Sequence, residues 1–217
     1  MVDDIRRGER VDLEAAVTAL CEGRCIGVET DTVFGLAAML SSEAAVSQLF
    51  DMKGRADTKA IAVLVSSVEM ASQIGVLDGL ASRLAAKFWP GAITLVVPRQ
   101  PDCRADLGGD PTTIGLRWPA FAELEGLIGH VGPIATTSAN RTGEPPLATV
   151  KELREVFGEQ VATVFSPSEF SPSRGTAAGT GQGVASTVVA VHDGEWTILR
   201  EGGISRAQIE ATCELLT

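Results

Sequence analysis

Aromatic residues are scarce in this sequence, and tyrosine is absent. Phenylalanine and tryptophan supply 5% of its 217 residues, so no platform for stacking nucleic-acid bases is visible. Long apolar runs are also missing. None approaches the roughly 20 residues that span a bilayer, and the charged amino terminus lacks the apolar core of a signal peptide. We therefore predict a cytoplasmic protein that is neither exported nor embedded in a membrane.

Cysteine and histidine are few, and their positions fit no metal site. The four cysteines have no framework spacing, and both histidines lie far from them in sequence. We therefore predict reduced thiols and no protein-bound metal. Acidic residues outnumber basic ones by 28 to 18, which argues against a general binder of nucleic acid or anionic membranes. A local cluster of cations can still bind phosphate, because screening acts over about 8 Å.

Apolar residues are abundant, at 45% of the chain, which is enough for one large core. Apolar periodicity and cap residues predict an α/β fold in a single domain, 1–217. The predicted helices lie in 12–23, in 41–55 with an end near Lys53, and in 67–76, 80–91, 121–132 and 148–158. The predicted strands cover 25–30, 60–67, 92–98, 112–119 and 133–140, with a hairpin over 186–202. The segment 166–183, rich in serine, proline and glycine, is predicted to be a linker or a lid.

Polar residues concentrate where predicted strands begin or end. The segments are "ETDT" (29–32), "KGRADTK" (53–59), "GLRWP" (115–119) and "TTSANRTG" (136–143). Loops at strand ends are common sites in α/β sheets, because the rigid sheet positions them while leaving them accessible. Each also has an ordinary interpretation when taken singly: "KGR" fits a helix C-terminus and "TSAN" fits a turn. The polar groups of "ETDT" need partners, since an unpaired buried polar group costs about 1–3 kcal/mol.

Seven segments occur in a characteristic order: "ETDTVFGLAA", "KGR", "FWPGAITLVVP", "TIGLRWP", "TSANRTGEPP", "GVASTVV" and "ILREGGIS". Together, from about Leu13 to about Ile209, they resemble the YrdC-like family, the L-threonylcarbamoyladenylate synthases. The resemblance implies a twisted, mixed parallel and antiparallel sheet with flanking helices, a concave cationic face and no additional C-terminal domain. It implies a nucleotidyltransferase that makes threonylcarbamoyl-AMP from L-threonine, bicarbonate or CO₂, and ATP, with release of pyrophosphate.

The resemblance also implies partners. The product is handed to proteins that modify the adenosine beside the anticodon of tRNA, and weak binding of tRNA or other RNA stays open. Mg²⁺ is expected to enter with ATP, held mainly by phosphates and water.

The resemblance assigns roles to ten residues of this sequence. Lys53 and Arg55 are the implied catalytic pair and contact the phosphates of ATP, the guanidinium as a fork and the ammonium as a point charge. Both are predicted to lie in a loop and to contribute little to the core. Arg117 is the implied partner of the threonine carboxylate. The remaining implied contacts are Thr113, Ser138, Asn140 and Arg200 to ATP, and Thr30, Thr136 and Ser186 in the threonine pocket.

Some positions depart from the family pattern. Proline is usual where Glu29, Ala56 and Ala60 stand, and its loss loosens loops. We interpret Glu29 as a tolerated change at the rim of the site. For Asp31 and Thr32, a structural cap is as good an interpretation as a substrate contact. Two alternatives stay open: a non-catalytic protein that binds double-stranded RNA or tRNA in ribosome or tRNA maturation, and a diverged paralogue that uses another amine.

Overall fold

The fold is built on one mixed β-sheet. The computed structural model describes residues 2–54, 60–167 and 183–214, with side chains described from residue 12 onward. The strands are β1 (Ile26–Val28), β2 (Gly35–Met39), β3 (Ala62–Leu64), β4 (Ile93–Pro98), β5 (Thr113–Arg117), β6 (Ile134–Ser138), β7 (Val164–Phe165), β8 (Thr187–His192) and β9 (Glu195–Arg200). Their order across the sheet is β7-β1-β2-β6-β3-β5-β4-β8-β9. Three neighbouring pairs, β1/β7, β3/β5 and β4/β8, are parallel, and the others are antiparallel.

Helices lie between the strands along the chain and cover the sheet. They are α1 (Val2–Cys21), α2 (Glu43–Lys53), α3 (Val68–Ser72), α4 (Gly79–Phe88), α5 (Ala122–Val131), α6 (Val150–Phe157) and α7 (Arg206–Glu214). The mixed α/β architecture predicted from the sequence is therefore confirmed. Within the described residues, no helix is long and apolar enough to cross a membrane.

Cap residues mark both ends of α2. The Ser42 side chain accepts a hydrogen bond from the Ala45 backbone N–H at the start of α2. Gly54 follows the last residue, Lys53, in the left-handed conformation that glycine adopts without strain. Because this cap fixes where the helix ends, it also fixes the direction in which Lys53 leaves the helix. Lys53 is thus the last residue of α2, which confirms the predicted helix end near Lys53, whereas its predicted placement in a loop that contributes little to the core is wrong.

Some predictions of secondary structure are wrong. The strand predicted over 25–30 ends at Val28, and residues 29–34 form a turn that leads into β2, a strand that the sequence did not predict. The helix predicted over 67–76 shortens to the five residues of α3. Strand β7 and helix α7 were also not predicted. Most of the predicted linker or lid at 166–183 lies outside the described residues.

The two faces of the sheet are covered differently. Successive side chains of a strand point to opposite faces. Val63 packs in a cluster with residues of α2, α4 and α6, whereas its neighbour Leu64 packs in a second cluster with residues of α1 and α5. On the Leu64 face, small residues follow at Gly35, Ala62 and Gly115, and they line a cavity. The absence of bulk at these positions makes this face concave.

Candidate active site

The cavity on the concave face has a volume of about 620 Å³. Nine of the ten residues singled out in the sequence line it: Thr30, Lys53, Thr113, Arg117, Thr136, Ser138, Asn140, Ser186 and Arg200. The tenth, Arg55, lies outside the described residues, as does Ala56. Strand pairing explains the convergence, because β2, β3, β4, β5, β6 and β8 are neighbours in the sheet and all contribute to the lining. A cavity of this size suits a small-molecule ligand.

Lys53 is buried, with 3% of its surface exposed. Its Nζ donates to the backbone oxygens of Ser138 (2.7 Å) and Asn140 (2.6 Å) and to Oδ1 of Asn140 (2.7 Å). A buried ammonium needs such acceptors, because desolvation without partners is costly. Lys53 thereby joins the end of α2 to the loop that follows β6.

Asn140 holds that loop in place through hydrogen bonds to both atoms of its side-chain amide, Oδ1 and Nδ2. Its Oδ1 accepts hydrogen bonds from Lys53 and from the Ser138 hydroxyl (2.5 Å), and its Nδ2 donates to the backbone oxygens of Arg141 (2.9 Å) and Glu144 (2.7 Å). The three site residues Lys53, Ser138 and Asn140 therefore form a single network. The ordinary interpretation of "TSAN" as a turn is compatible with its predicted placement in the site, since residues of this turn line the cavity.

Arg117 lies at the end of β5 and is anchored from three sides. Its Nε donates to the Gly91 carbonyl (3.1 Å), one terminal nitrogen donates to Oγ1 of Thr32 (2.8 Å), and the other pairs with Oδ1 of Asp31 (2.5 Å). Gly91 comes from the "FWPG" segment, where a Cβ would collide with the backbone oxygen of Phe88. A glycine at this position therefore lets the backbone pack against Phe88 in the turn from which the Gly91 carbonyl accepts the bond from Arg117.

The "ETDT" segment finds its partners in this anchor. Asp31 and Thr32 bind Arg117, so in the described residues their side chains serve the cavity, and their interpretation as a structural cap is wrong. The Thr30 hydroxyl donates to the Val33 carbonyl (2.7 Å) and accepts from the backbone N–H groups of Thr32 and Val33, which closes the turn. Two of the four polar side chains that interrupt the apolar run, Asp31 and Thr32, therefore bind a buried cation.

Arg200, at the end of β9, also lines the cavity. Its Nε and one terminal nitrogen donate to the Ser186 carbonyl (3.2 and 2.7 Å), and the Ser186 hydroxyl lies 2.9 Å from that of Thr94. Burial lowers the pKa of Arg200. Burial also lowers the pKa of Arg117, Asp31 raises it, and the positive charge of Arg200 lowers it further.

Thr136 carries a polar atom of a special kind. Its Oγ1 is the one buried side-chain nitrogen or oxygen, among the described residues, that has no hydrogen-bond partner. Buried polar atoms in folded proteins almost always have a partner, and an exception calls for a cause such as a ligand. Thr136 lines the cavity between Ala37 of β2 and Ala62 of β3, so the unpaired hydroxyl belongs to the same site.

The sequence reasoning missed several cavity residues. Arg99 follows β4 and donates to the carbonyls of Thr113 (3.1 Å) and Ala105 (2.7 Å). Thr94 is buried inside β4, and Asp110 lines the cavity beside Thr113. A charged residue directly after an apolar strand was the signal available for Arg99. Thr94 gave none, because one threonine in a strand is ordinary.

Glu29 does not belong to the described lining of the cavity. Its Oε2 accepts a hydrogen bond from the buried Ser166 hydroxyl (2.8 Å), next to the parallel pairing of β1 with β7. Our interpretation of Glu29 as a rim residue is therefore wrong, because the side chain faces the β7 edge. Of the other departures, Ala60 lines the cavity.

The carboxylates of the described part of the chain form no metal centre. No group of three or more His, Cys, Asp or Glu side chains occurs there with the arrangement that could hold an ion. The described lining contains one carboxylate, Asp110, whose pKa is lowered by hydrogen bonds from Thr112. A single carboxylate does not build a dedicated cation cage, whereas it is compatible with a cation that arrives on a phosphate ligand.

Comparison with known proteins places this geometry in a family. A family model described as "Telomere recombination", covering Sua5, YciO and YrdC proteins, matches residues 18–202. A Mycobacterium leprae protein is 35% identical, over 91% of this chain and 86% of its own. The human threonylcarbamoyl-AMP synthase is 30% identical, over 97% of this chain and 73% of its own. P. abyssi Sua5 complexed with L-threonine superposes with a TM-score of 0.80 at 29% identity, over 94% of this chain and 57% of that chain. This chain belongs to the Sua5/YciO/YrdC family.

Proposed function

We propose that this protein is a threonylcarbamoyl-AMP synthase. It joins L-threonine, bicarbonate or CO₂, and ATP into threonylcarbamoyl-AMP and releases pyrophosphate. The name of the human relative and the L-threonine bound to P. abyssi Sua5 both support this function. The size of the cavity also suits small substrates better than the RNA of the binding-protein alternative.

The observation that carries the proposal is that two arginines, Arg117 and Arg200, line one cavity. The charge of Arg200 also lowers the pKa of Arg117. Two like charges on the wall of one cavity favour an anion between or beside them. The proposed reaction brings two anions together, because the carboxylate and carbamate of the amino acid must meet the α-phosphate of ATP. The two guanidinium groups supply positive charge that stabilises both anions in one cavity.

We assign the amino acid to the Arg117 side of the cavity. Within the described structure, three of the five N–H groups of Arg117 have protein acceptors, which leaves one on each terminal nitrogen for a carboxylate. Two parallel bonds of this kind are the usual geometry of an arginine-carboxylate pair. The unpaired Thr136 hydroxyl then serves a polar group of threonine, and Thr30 and Ser186 shape the rest of the pocket.

We assign ATP to the side of Lys53 and Arg200. Lys53 and Arg55 act on the phosphates as the catalytic pair, and Thr113, Ser138, Asn140 and Arg200 orient the nucleotide. Because Nζ of Lys53 already holds the loop after β6, a phosphate oxygen would replace or join one of its present acceptors. The loop and the phosphate are therefore coupled through one ammonium.

The chemical step is a displacement at the α-phosphorus. A carbamate oxygen of N-carboxy-threonine forms the new bond to phosphorus, the bond to the bridging oxygen breaks, and pyrophosphate leaves with that electron pair. Both the attacking and leaving groups are anionic, so fixed cations contribute most by stabilising the charge that develops between them. Mg²⁺ would enter with ATP, bound mainly by phosphates and water, with Asp110 as the one described carboxylate within the lining.

The proposal extends to the setting of the reaction. The product would be handed to the proteins that transfer the threonylcarbamoyl group to tRNA, which places the enzyme in the cytoplasm with them. Direct contact with tRNA during this transfer is a further part of the proposal.

The test is pyrophosphate release by the purified protein with ATP, Mg²⁺ and bicarbonate, with and without L-threonine. We expect release that depends on L-threonine, together with the mass of threonylcarbamoyl-AMP. Replacing Arg200 by methionine should lower the rate at least about tenfold, because a charge opposite the α-phosphate is lost. The matched control is Arg24→Met, since Arg24 is a surface arginine with 56% of its side chain exposed. Pyrophosphate release at the same rate with and without L-threonine would overturn the proposal.

A further inference from the structure

Arg117 is held from behind by two residues of the "ETDT" segment. Asp31 and the guanidinium form an ion pair in which both side chains are nearly buried, with exposures of 7% and 8%. Thr32 binds the other terminal nitrogen at 2.8 Å. Thr32 reaches the cavity lining, but Asp31 does not belong to its described part. Asp31 therefore contacts Arg117 from outside the space that a ligand would fill.

These contacts explain how the long, flexible side chain of Arg117 can hold its guanidinium group in a fixed orientation. A guanidinium is planar, so bonds to both terminal nitrogens and to Nε fix its plane and its rotation. The Gly91 carbonyl and the Thr32 hydroxyl are neutral acceptors, and the Asp31 carboxylate supplies the charged one. The guanidinium donor makes all three bonds charge-assisted, but Asp31 alone adds the attraction of an opposite charge in a nearly buried ion pair, so it is the strongest of the three anchors.

We propose that Asp31 and Thr32 are positioning residues that hold Arg117 with its two remaining N–H groups directed into the cavity, where they bind the carboxylate of the amino-acid substrate. This inference rests on the proposed function. It explains why Asp31 and Thr32 are polar within an otherwise apolar part of the chain: they hold the arginine that binds the substrate. Asp31 itself does not touch the substrate.

The inference predicts a separation between the two substrates. Asp31→Asn keeps the shape of the side chain and one acceptor oxygen but removes the charge. We expect KM for L-threonine to rise at least about fivefold, because small displacements of a positioning group are costly. KM for ATP should stay within about twofold of wild type, since its proposed contacts lie elsewhere. Asp31→Glu restores the carboxylate, and we expect it to recover much of the affinity for L-threonine.

Two further variants keep the test decisive. Thr32→Val removes the second anchor without touching any charge, and it should raise KM for L-threonine about threefold or more even if Asp31→Asn fails to fold. Glu155→Gln is the matched control, because it makes the same carboxylate-to-amide change in an exposed ion pair with Lys151. Thermal unfolding of each variant shows whether it is folded at the assay temperature.

The outcomes separate the inference from the function on which it rests. If wild type releases pyrophosphate without needing L-threonine, the proposed function fails. If wild type requires L-threonine but Thr32→Val and a folded Asp31→Asn variant keep its KM, the positioning role is wrong. An equal rise in KM for L-threonine and for ATP would also overturn it, because that result indicates a general disturbance of the cavity. A rise confined to L-threonine, with recovery in Asp31→Glu, supports it.

Discussion

Nζ of Lys53 lies 2.6 Å from the backbone oxygen of Asn140 and 2.7 Å from its side-chain Oδ1, although 87 positions separate the two residues in the chain. This contact joins the end of α2 to the loop after β6 and places a buried charge at the centre of the cavity wall. A residue with the features of a phosphate ligand is thus also a part of the fold. Any substitution of Lys53 will report on both roles.

Lys53→Met should destabilise the protein as well as inactivate it. Hydrogen bonds to a charged group contribute about 1.5–3 kcal/mol, and the oxygens of Ser138 and Asn140 would lose their common donor. We expect the free energy of unfolding to fall by about 2–4 kcal/mol in urea denaturation. Lys151→Met is the matched control, because that lysine side chain is 84% exposed. Equal stabilities for both variants would show that the Lys53 network adds nothing to folding.

The sequence predicted the members of the cavity better than it predicted their partners. Lys53, Arg117 and Ser138 lie at strand or helix ends, where a polar residue after an apolar run is a visible signal. The pairing of Asp31 with Arg117 was not visible, because it depends on β1 and β5 lying in one sheet with three strands between them both in sequence and in space. Sheet order is a long-range property that periodicity does not encode.

Strand β2 illustrates a second limit. Residues 29–39 read as one interrupted apolar segment, whereas the chain turns at Thr30 and returns as Gly35–Met39. The hydroxyl of Thr30 closes the turn, so a residue predicted to line the pocket also shapes its wall. Glu29 was misplaced for a related reason: after β1 ends, one residue decides whether a side chain faces the cavity or the β7 edge, because the faces alternate.

Gly115→Ala should reduce activity without harming the fold. A Cβ at this position would meet Cγ2 of Thr94 at 3.4 Å, which is an ordinary contact, but it would project into the cavity beside Ala62. Replacing a strand glycine by alanine also removes an entropic cost of about 0.5–1 kcal/mol. We expect an unchanged or slightly higher melting temperature and a KM for one substrate raised at least about threefold. Steady-state kinetics with each substrate varied would show which one the methyl group displaces.

A matched glycine lies outside the cavity. In α5, a Cβ on Gly126 meets nothing within 4 Å, so Gly126→Ala should leave both KM values unchanged. If Gly115→Ala behaved in the same way, the substrates would not reach the floor of the cavity at β5.

The buried thiol of Cys25 should make stability depend on alkaline pH. Burial raises its pKa from an ordinary 9.0 to about 12, and its Sγ donates to the Ala45 carbonyl at 3.3 Å. Below about pH 9 both the folded and unfolded states hold the proton, whereas above it only the unfolded chain ionises readily and is favoured. Between about pH 9 and about pH 11, wild type should lose up to about 1.4 kcal/mol per pH unit relative to Cys25→Ala. Urea unfolding of both proteins across this range measures the difference.

The exposed Cys21 provides the control for that measurement, since Cys21→Ala leaves the buried thiol in place. A pH dependence that vanished in Cys21→Ala instead of Cys25→Ala would contradict the assignment.

Thr136→Val should weaken the binding of L-threonine while leaving the stability of the protein unchanged or slightly higher. Valine has nearly the shape of threonine but no hydroxyl, and Oγ1 of Thr136 is buried without a protein partner in the described structure. Its loss should leave the free energy of unfolding unchanged or raise it by up to about 1 kcal/mol, because an unpaired polar group no longer has to be desolvated. If the hydroxyl binds L-threonine, the same variant should weaken that binding at least about fivefold in calorimetric titration.

Thr94→Val provides the contrasting case. The Thr94 hydroxyl is buried as well, but it lies 2.9 Å from the Ser186 hydroxyl, which Arg200 also contacts at 3.2 Å. Its removal therefore breaks one buried hydrogen bond and should destabilise the protein by about 1 kcal/mol. A Thr136→Val variant that was destabilised like Thr94→Val, with L-threonine binding intact, would show that the Thr136 hydroxyl serves the folded chain and not the ligand. Opposite stability changes, with binding lost at Thr136, would identify an unpaired atom in the free protein as a contact that substrate completes.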